Sequence, residues 1–173
     1  AICMVGCGKL SKDEAKSTVN KLVEEAYVLN EIYFGKGLQY EETGNPNDLY
    51  LPVLSIESYI TKSALVEKTK EVYSETYAQS LIDMAFNGIA SEVESNAVFA
   101  RYMVHDDDDL LYVRKDIEPI SKNPISEYDL SKTEITKISK RFIEATIYSK
   151  DNRAVEITLV RENDVFRLDT PTY

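Results

Sequence analysis

The sequence predicts an α+β fold, with N-terminal helices packed on a curved antiparallel β-meander, and three observations predict it. The first is the run at residues 139–168, where Phe142, Glu144, Thr146 and Tyr148 alternate with Arg141, Ile143, Ala145 and Ile147. Alternation at period two marks a strand with one face buried. Lys150-Asp151-Asn152 and Glu162-Asn163-Asp164 divide that run into three strands, the second (154–161) dense in β-branched residues and the third Val165-Phe166-Arg167-Leu168. Asn/Asp clusters between alternating runs are hairpin turns. The second observation is an apolar recurrence at helical spacing near the N-terminus, Ala15, Val19, Leu22, Val23, Ala26, Leu29 and Tyr33. The third is the order: helical segments come first and strands last, the pattern of α+β folds.

Taken in order, Ser11-Lys12-Asp13-Glu14 reads as a capping box that starts the first helix, and Gly35-Lys36-Gly37 ends it after Phe34. At about 1.5 Å per residue such a helix lies across a whole sheet. Residues 35–58 are the least regular: Gly44-Asn45-Pro46-Asn47-Asp48 is a turn cluster, and Leu49 to Leu54 is an apolar segment read as core-packed or as an edge strand interrupted by Pro52. Thr61 caps a helix at 62–72, Ser74 caps another at 75–86, and Asn87-Gly88 stops it. Residues 98–105 are expected to begin the sheet and 110–114 to return it, with four consecutive aspartates, 106–109, between them. Pro119 and Pro124 keep 116–127 out of regular structure, and a strand at about 133–138 leads into the meander.

Composition narrows the function classes. The chain of 173 residues is long enough for one domain with a substantial core, assigned to 11–173. A net charge of −10 argues against nucleic acid and against an electrostatic grip on an anionic bilayer. Lys137, Lys140 and Arg141 form a local basic cluster, read as a solvated strand face. Twelve tyrosines and no tryptophan favour half-wet packing, where the ring is covered and the hydroxyl finds a partner. Both cysteines fall within the first seven residues, so the body has no thiol for a disulfide or a thiolate metal site. No run reaches the about 18 apolar residues of a membrane span.

Catalytic signals are sparse. The single histidine, His105, sits at a strand end and reads as a surface residue, and neither a Gly-rich phosphate loop nor a Gly-x-Ser-x-Gly elbow is present. The aspartate run lacks the alternate spacing, glycine and distal Glu of a calcium loop, and reads as a solvated turn. No cofactor is implied, and an enzyme is the less favoured class. Tyr102, Tyr112 and Tyr148 are the candidate polar lining of any pocket.

Residues 1–8 are apolar, small and uncharged, then switch to Lys9-Leu10-Ser11-Lys12, and residues 1–10 are assigned as a signal-peptide remnant and tether. Within them Met4-Val5-Gly6-Cys7 resembles the bacterial lipobox, with Met4 where leucine is usual. The resemblance implies that Cys7 is lipidated and that the protein is extracytoplasmic, anchored to the cell membrane by its lipid. A thiolate is the nucleophile such alkylation needs. The alternatives are a short apolar strand or tail, or a redox or metal pair of Cys3 and Cys7.

Asn163-Asp164-Val165-Phe166-Arg167-Leu168-Asp169 resembles the last strand of nuclear-transport-factor-two-like (cystatin-like) domains, with Phe166 where tryptophan is usual. Val72-Tyr73-Ser74-Glu75-Thr76-Tyr77 resembles the junction between their shorter helices. The resemblance spans most of 11–169 and implies a curved sheet that wraps the long helix around a cone-shaped cavity. Members include isomerases and dehydratases as well as non-catalytic proteins, and no catalytic residue of the enzymes matches a position here. Two functions follow: a non-catalytic, membrane-anchored binding or inhibitory module with a cell-wall or extracellular protein partner, or a small-molecule-binding protein or enzyme that uses the cone.

Overall fold

The structure, a computed structural model, describes residues 10–90, 98–105, 107–116, 119 and 127–172. The lipobox-like segment with Cys7, and Asp106 and Pro124, lie outside the described residues. The chain is α+β: the described residues form three helices and antiparallel sheets of two, three and four strands, the helices preceding the four-stranded sheet.

Helix α1 (Lys12–Tyr33) begins at the capping box. The Ser11 hydroxyl accepts from the Glu14 amide at 3.2 Å, and the Glu14 carboxylate accepts from the Ser11 amide at 2.8 Å. That amide, with the Ser11 hydroxyl donating to the same carboxylate at 2.8 Å, holds the Glu14 carboxyl below its ordinary value. The helix buries Ala15, Val19, Leu22, Val23, Ala26 and Leu29 as its spacing requires. The chain then runs through β1 (Tyr50–Pro52), α2 (Lys62–Val72), α3 (Glu75–Asn87), β2 (Ile89–Ala90), β3 (Val98–Phe99), β4 (Tyr102–Met103) and β5 (Tyr112–Arg114). After a 3₁₀ turn at Leu130–Lys132 come β6 (Glu134–Ile138), β7 (Phe142–Tyr148), β8 (Ala154–Glu162) and β9 (Val165–Leu168).

The meander has the order β6-β7-β8-β9 with every neighbour antiparallel. Asn163 and Asp164 both take positive φ, 49° and 65°, which a two-residue type I′ hairpin turn demands and which Asn and Asp tolerate best. Burial alternates along β7, with Ile143, Ala145 and Ile147 inside. Opposite them Leu159 and Ile157 are buried as well, while Val155, expected on the same face, is only half-buried near the strand's end. These side chains join those of α1 in one core cluster.

Residues 98–114 depart from expectation. They do not start the meander: β4 and β5 pair with β1 in a separate sheet of order β1-β5-β4, and β3 pairs with β2. The end of α1 is what holds them there. Tyr102 donates its hydroxyl to the Ile32 carbonyl at 2.8 Å and accepts from the Leu38 amide at 3.1 Å. Arg101, only 6% exposed, donates Nη1 to the carbonyls of Ile32 at 3.2 Å and Gly35 at 2.9 Å. A guanidinium on the last carbonyls satisfies acceptors that the helix cannot and meets the negative end of its dipole. Gly37 is held against this pair with φ at 78°, and a Cβ there would stand 3.0 Å from both Arg101 Nη1 and the Tyr102 hydroxyl oxygen.

The aspartate run also has a local task. The Asp109 carboxylate accepts from the Ser63 amide at 3.0 Å and its carbonyl accepts from the Lys62 amide at 2.9 Å, so it caps the start of α2. The Ser63 bonds hold the Asp109 carboxyl below its usual range.

Buried phenols make the fold alkali-sensitive. Burial raises Tyr33 and Tyr102 above the ordinary 10.0 and pushes Tyr128 up to about 12. Below pH 10 the phenols are protonated in both folded and unfolded chains. Above it the unfolded chain loses these protons first, so stability is expected to fall as pH rises from 10 towards 12. A tyrosinate-absorbance titration followed by circular dichroism should show a late, cooperative group of tyrosines whose ionisation coincides with unfolding. Titration of all tyrosines near 10 with the dichroism intact would contradict it.

Candidate functional site

A groove of about 580 Å³ opens between α1, the end of α2 and the outer strand β9. From α1 it takes Ser17, Thr18, Lys21, Leu22 and Glu25, a stripe whose spacings of three and four residues keep it on one side of the helix. Lys68 and Glu71 close one end from the last turns of α2, and Val165, Phe166 and Arg167 of β9 form the opposite wall.

The charges of the groove largely satisfy one another. Lys68 Nζ lies 2.7 Å from Glu25 Oε2 and 3.6 Å from Glu71 Oε2, and the bond to Glu25 raises its ammonium above the ordinary value. Lys21, 76% exposed, reaches Glu25 only at 3.8 Å. Arg167 donates to the Glu71 carbonyl at 3.3 Å, on the C-terminal turn of α2. Beside the groove Arg161 packs 5.9 Å from the Phe166 ring centroid and pairs with Asp164 at 3.3 Å.

Thr18 spends its hydroxyl proton on the Glu14 carbonyl at 2.9 Å, and no histidine lines the groove to serve as a base. Among the described residues no group of three or more His, Cys, Asp or Glu side chains could hold a metal ion. Nor is any described helix long and apolar enough to cross a membrane.

The three candidate tyrosines do not meet. Tyr102 stands opposite Val113 and Tyr112 opposite Met103, which puts the two phenols on opposite faces of the small sheet. Tyr102 is fully buried as the cap of α1, and Tyr112 packs edge-on to His105 at 4.4 Å. Tyr148 belongs to the other sheet, on the face of β7 turned away from the core. None of the three lines the groove. Sequence reasoning missed the groove because its α1 stripe reads as a solvated helix face. The available signal was Val165, an apolar residue directly after a turn, which is 50% exposed.

The junction of α2 and α3 and the end of β9 come together. Tyr73 bridges Leu168 in parallel, the Ser74 amide donates to the Leu168 carbonyl at 2.7 Å, and the Ser74 hydroxyl donates to Asp169 Oδ1 at 2.5 Å. The Glu75 amide donates to the Glu162 carboxylate at 3.1 and 3.2 Å. The start of α3 is thus capped by the end of the meander. No family model and no curated protein matches this chain.

Proposed function

We propose that this chain is a non-catalytic binding or inhibitory module at the bacterial cell surface, tethered by a lipid on Cys7 and built on a nuclear-transport-factor-two-like scaffold. The observation that carries the choice over an enzyme is the packing of the meander's inner face into one core with α1. The meander face that would line an open cone, Ile143, Ala145, Ile147, Ile157 and Leu159, is buried in one cluster with the apolar stripe of α1. The groove beside it offers charge and apolar surface without a nucleophile and base in register. A protein partner in the cell wall or the extracellular space suits such a surface.

The tether is tested by feeding labelled palmitate to cells that make the full precursor, as wild type and as Cys7→Ala, and fractionating their membranes. Wild type should carry label and sediment with membranes, and Cys7→Ala should lose both, because acyl chains anchor at about 0.8 kcal/mol per buried methylene. Equal behaviour of the two would refute the tether.

A further inference from the structure

We propose that the groove receives an extended peptide segment of a protein partner, added as a fifth strand on the free edge of β9. The inference deepens the binding reading above and rests on it. The backbone of β9 is the main ground. Asp169 donates its amide to Thr158 across the ladder at 2.8 Å, and Leu168 turns its carbonyl the other way, to Ser74. Alternation along an antiparallel strand then aims the Phe166 N–H and C=O away from β8, into the groove. Neither has a partner among the described residues. The chain already uses this edge one step along, where Tyr73 pairs in parallel with Leu168. Beyond that point α2 leaves the edge, and the gap between β9 and α1 has the form in which strand-addition domains take peptides.

The meander's two edges differ in protection. Along β6 the pairing register shifts between Ile135 and Lys137, the kind of bulge that blunts an edge, whereas β9 pairs with β8 in unbroken register and carries no proline. Side chains set the chemistry of the partner. Residues of an added strand that point inward meet Leu22 and the Phe166 ring, which favours β-branched or other apolar side chains. At the open rim Lys21 is the weakly paired cation, since Glu25 and Glu71 are both engaged by Lys68. A carboxylate on the segment complements it.

The test pans a display library of short random peptides on the full chain and measures selected peptides in solution against wild type and two variants. Phe166→Pro removes the free edge N–H and no ladder bond to β8, and proline is tolerated on such an edge. Ser17→Arg fills the groove from an exposed helix position, so it remains informative even if Phe166→Pro fails to fold. Selected peptides should carry apolar and acidic residues, and should bind about tenfold or more weakly to both folded variants and when N-methylated at alternate amides. A library that yields no binder, or binders indifferent to both substitutions, overturns the inference. So does a concentration-dependent dimer blocked by Ser17→Arg, which would give the edge to a second copy. Palmitate labelling reads the tether separately: labelled Cys7 without peptide binding sinks only the groove, and peptide binding without label sinks only the tether.

Discussion

Leu159→Asp is expected to leave the chain without a cooperative thermal transition. Leu159 is fully buried, flanked by Ile143 on β7 and Leu168 on β9, both also fully buried. Truncating a core leucine alone costs about 2–5 kcal/mol through lost transfer energy and the cavity left behind. An unpaired carboxylate adds several kcal/mol more, either as buried charge or as the work of keeping the group protonated. The sum rivals the whole stability of a domain, about 5–15 kcal/mol. Ile157→Asp should be nearly as severe. Val155→Asp should be milder, because that side chain is half-buried near the end of β8 and its carboxylate can turn to water. Leu159→Ala should still fold with a lowered melting temperature. Circular dichroism melts of the four variants check this order, and wild-type melting for Leu159→Asp would show that the meander's inner face is not the core.

The elements that carry their own instructions were legible in the sequence. Ser11, Thr61 and Ser74 cap the three helices through their own hydroxyls, and the alternation and turns of the meander set its strands. Local chemistry fixes such features, so one sequence suffices. The small sheet was different. Its strands are two or three residues long, too short for alternation to show, and Tyr50–Pro52 meets Tyr112–Arg114 only through long-range packing. Arg101 illustrates the same limit. In the sequence it alternates with Tyr102 like a solvent-facing residue, yet it is buried, because its partners are backbone carbonyls at the end of α1 that side-chain identity does not advertise. The groove was illegible for a related reason: Glu25 and Lys68 each read as ordinary helix surface, and only the packing of α2 beside α1 makes them a pair.

Asn30→Ala is expected to destabilise the fold by about 2–4 kcal/mol, although nothing in the sequence distinguishes Asn30 from any polar helix residue. It is 1% exposed, and both ends of its amide are used. Its Oδ1 accepts from the Tyr73 hydroxyl at 3.0 Å, and its Nδ2 donates to Thr172 Oγ1 at 2.9 Å. The Thr172 carbonyl in turn accepts from the Tyr128 hydroxyl. One side chain therefore joins α1, the junction between α2 and α3, and the segment that follows β9. Removing it takes a hydrogen-bond partner from each of two buried side chains, and a buried polar group that loses its partner costs more than a hydrogen bond contributes. Asn30→Leu should be no better than Asn30→Ala, since it fills the space but removes the same two hydrogen bonds. Adding Tyr73→Phe and Thr172→Val to Asn30→Leu removes both hydroxyls that had bonded Asn30 and should recover most of the loss, because an apolar replacement of all partners can be nearly neutral. Denaturant melts of the single and triple variants decide it. If the triple variant is less stable than Asn30→Leu by the sum of its parts, Asn30 contributes through packing alone and the network does not act as a unit.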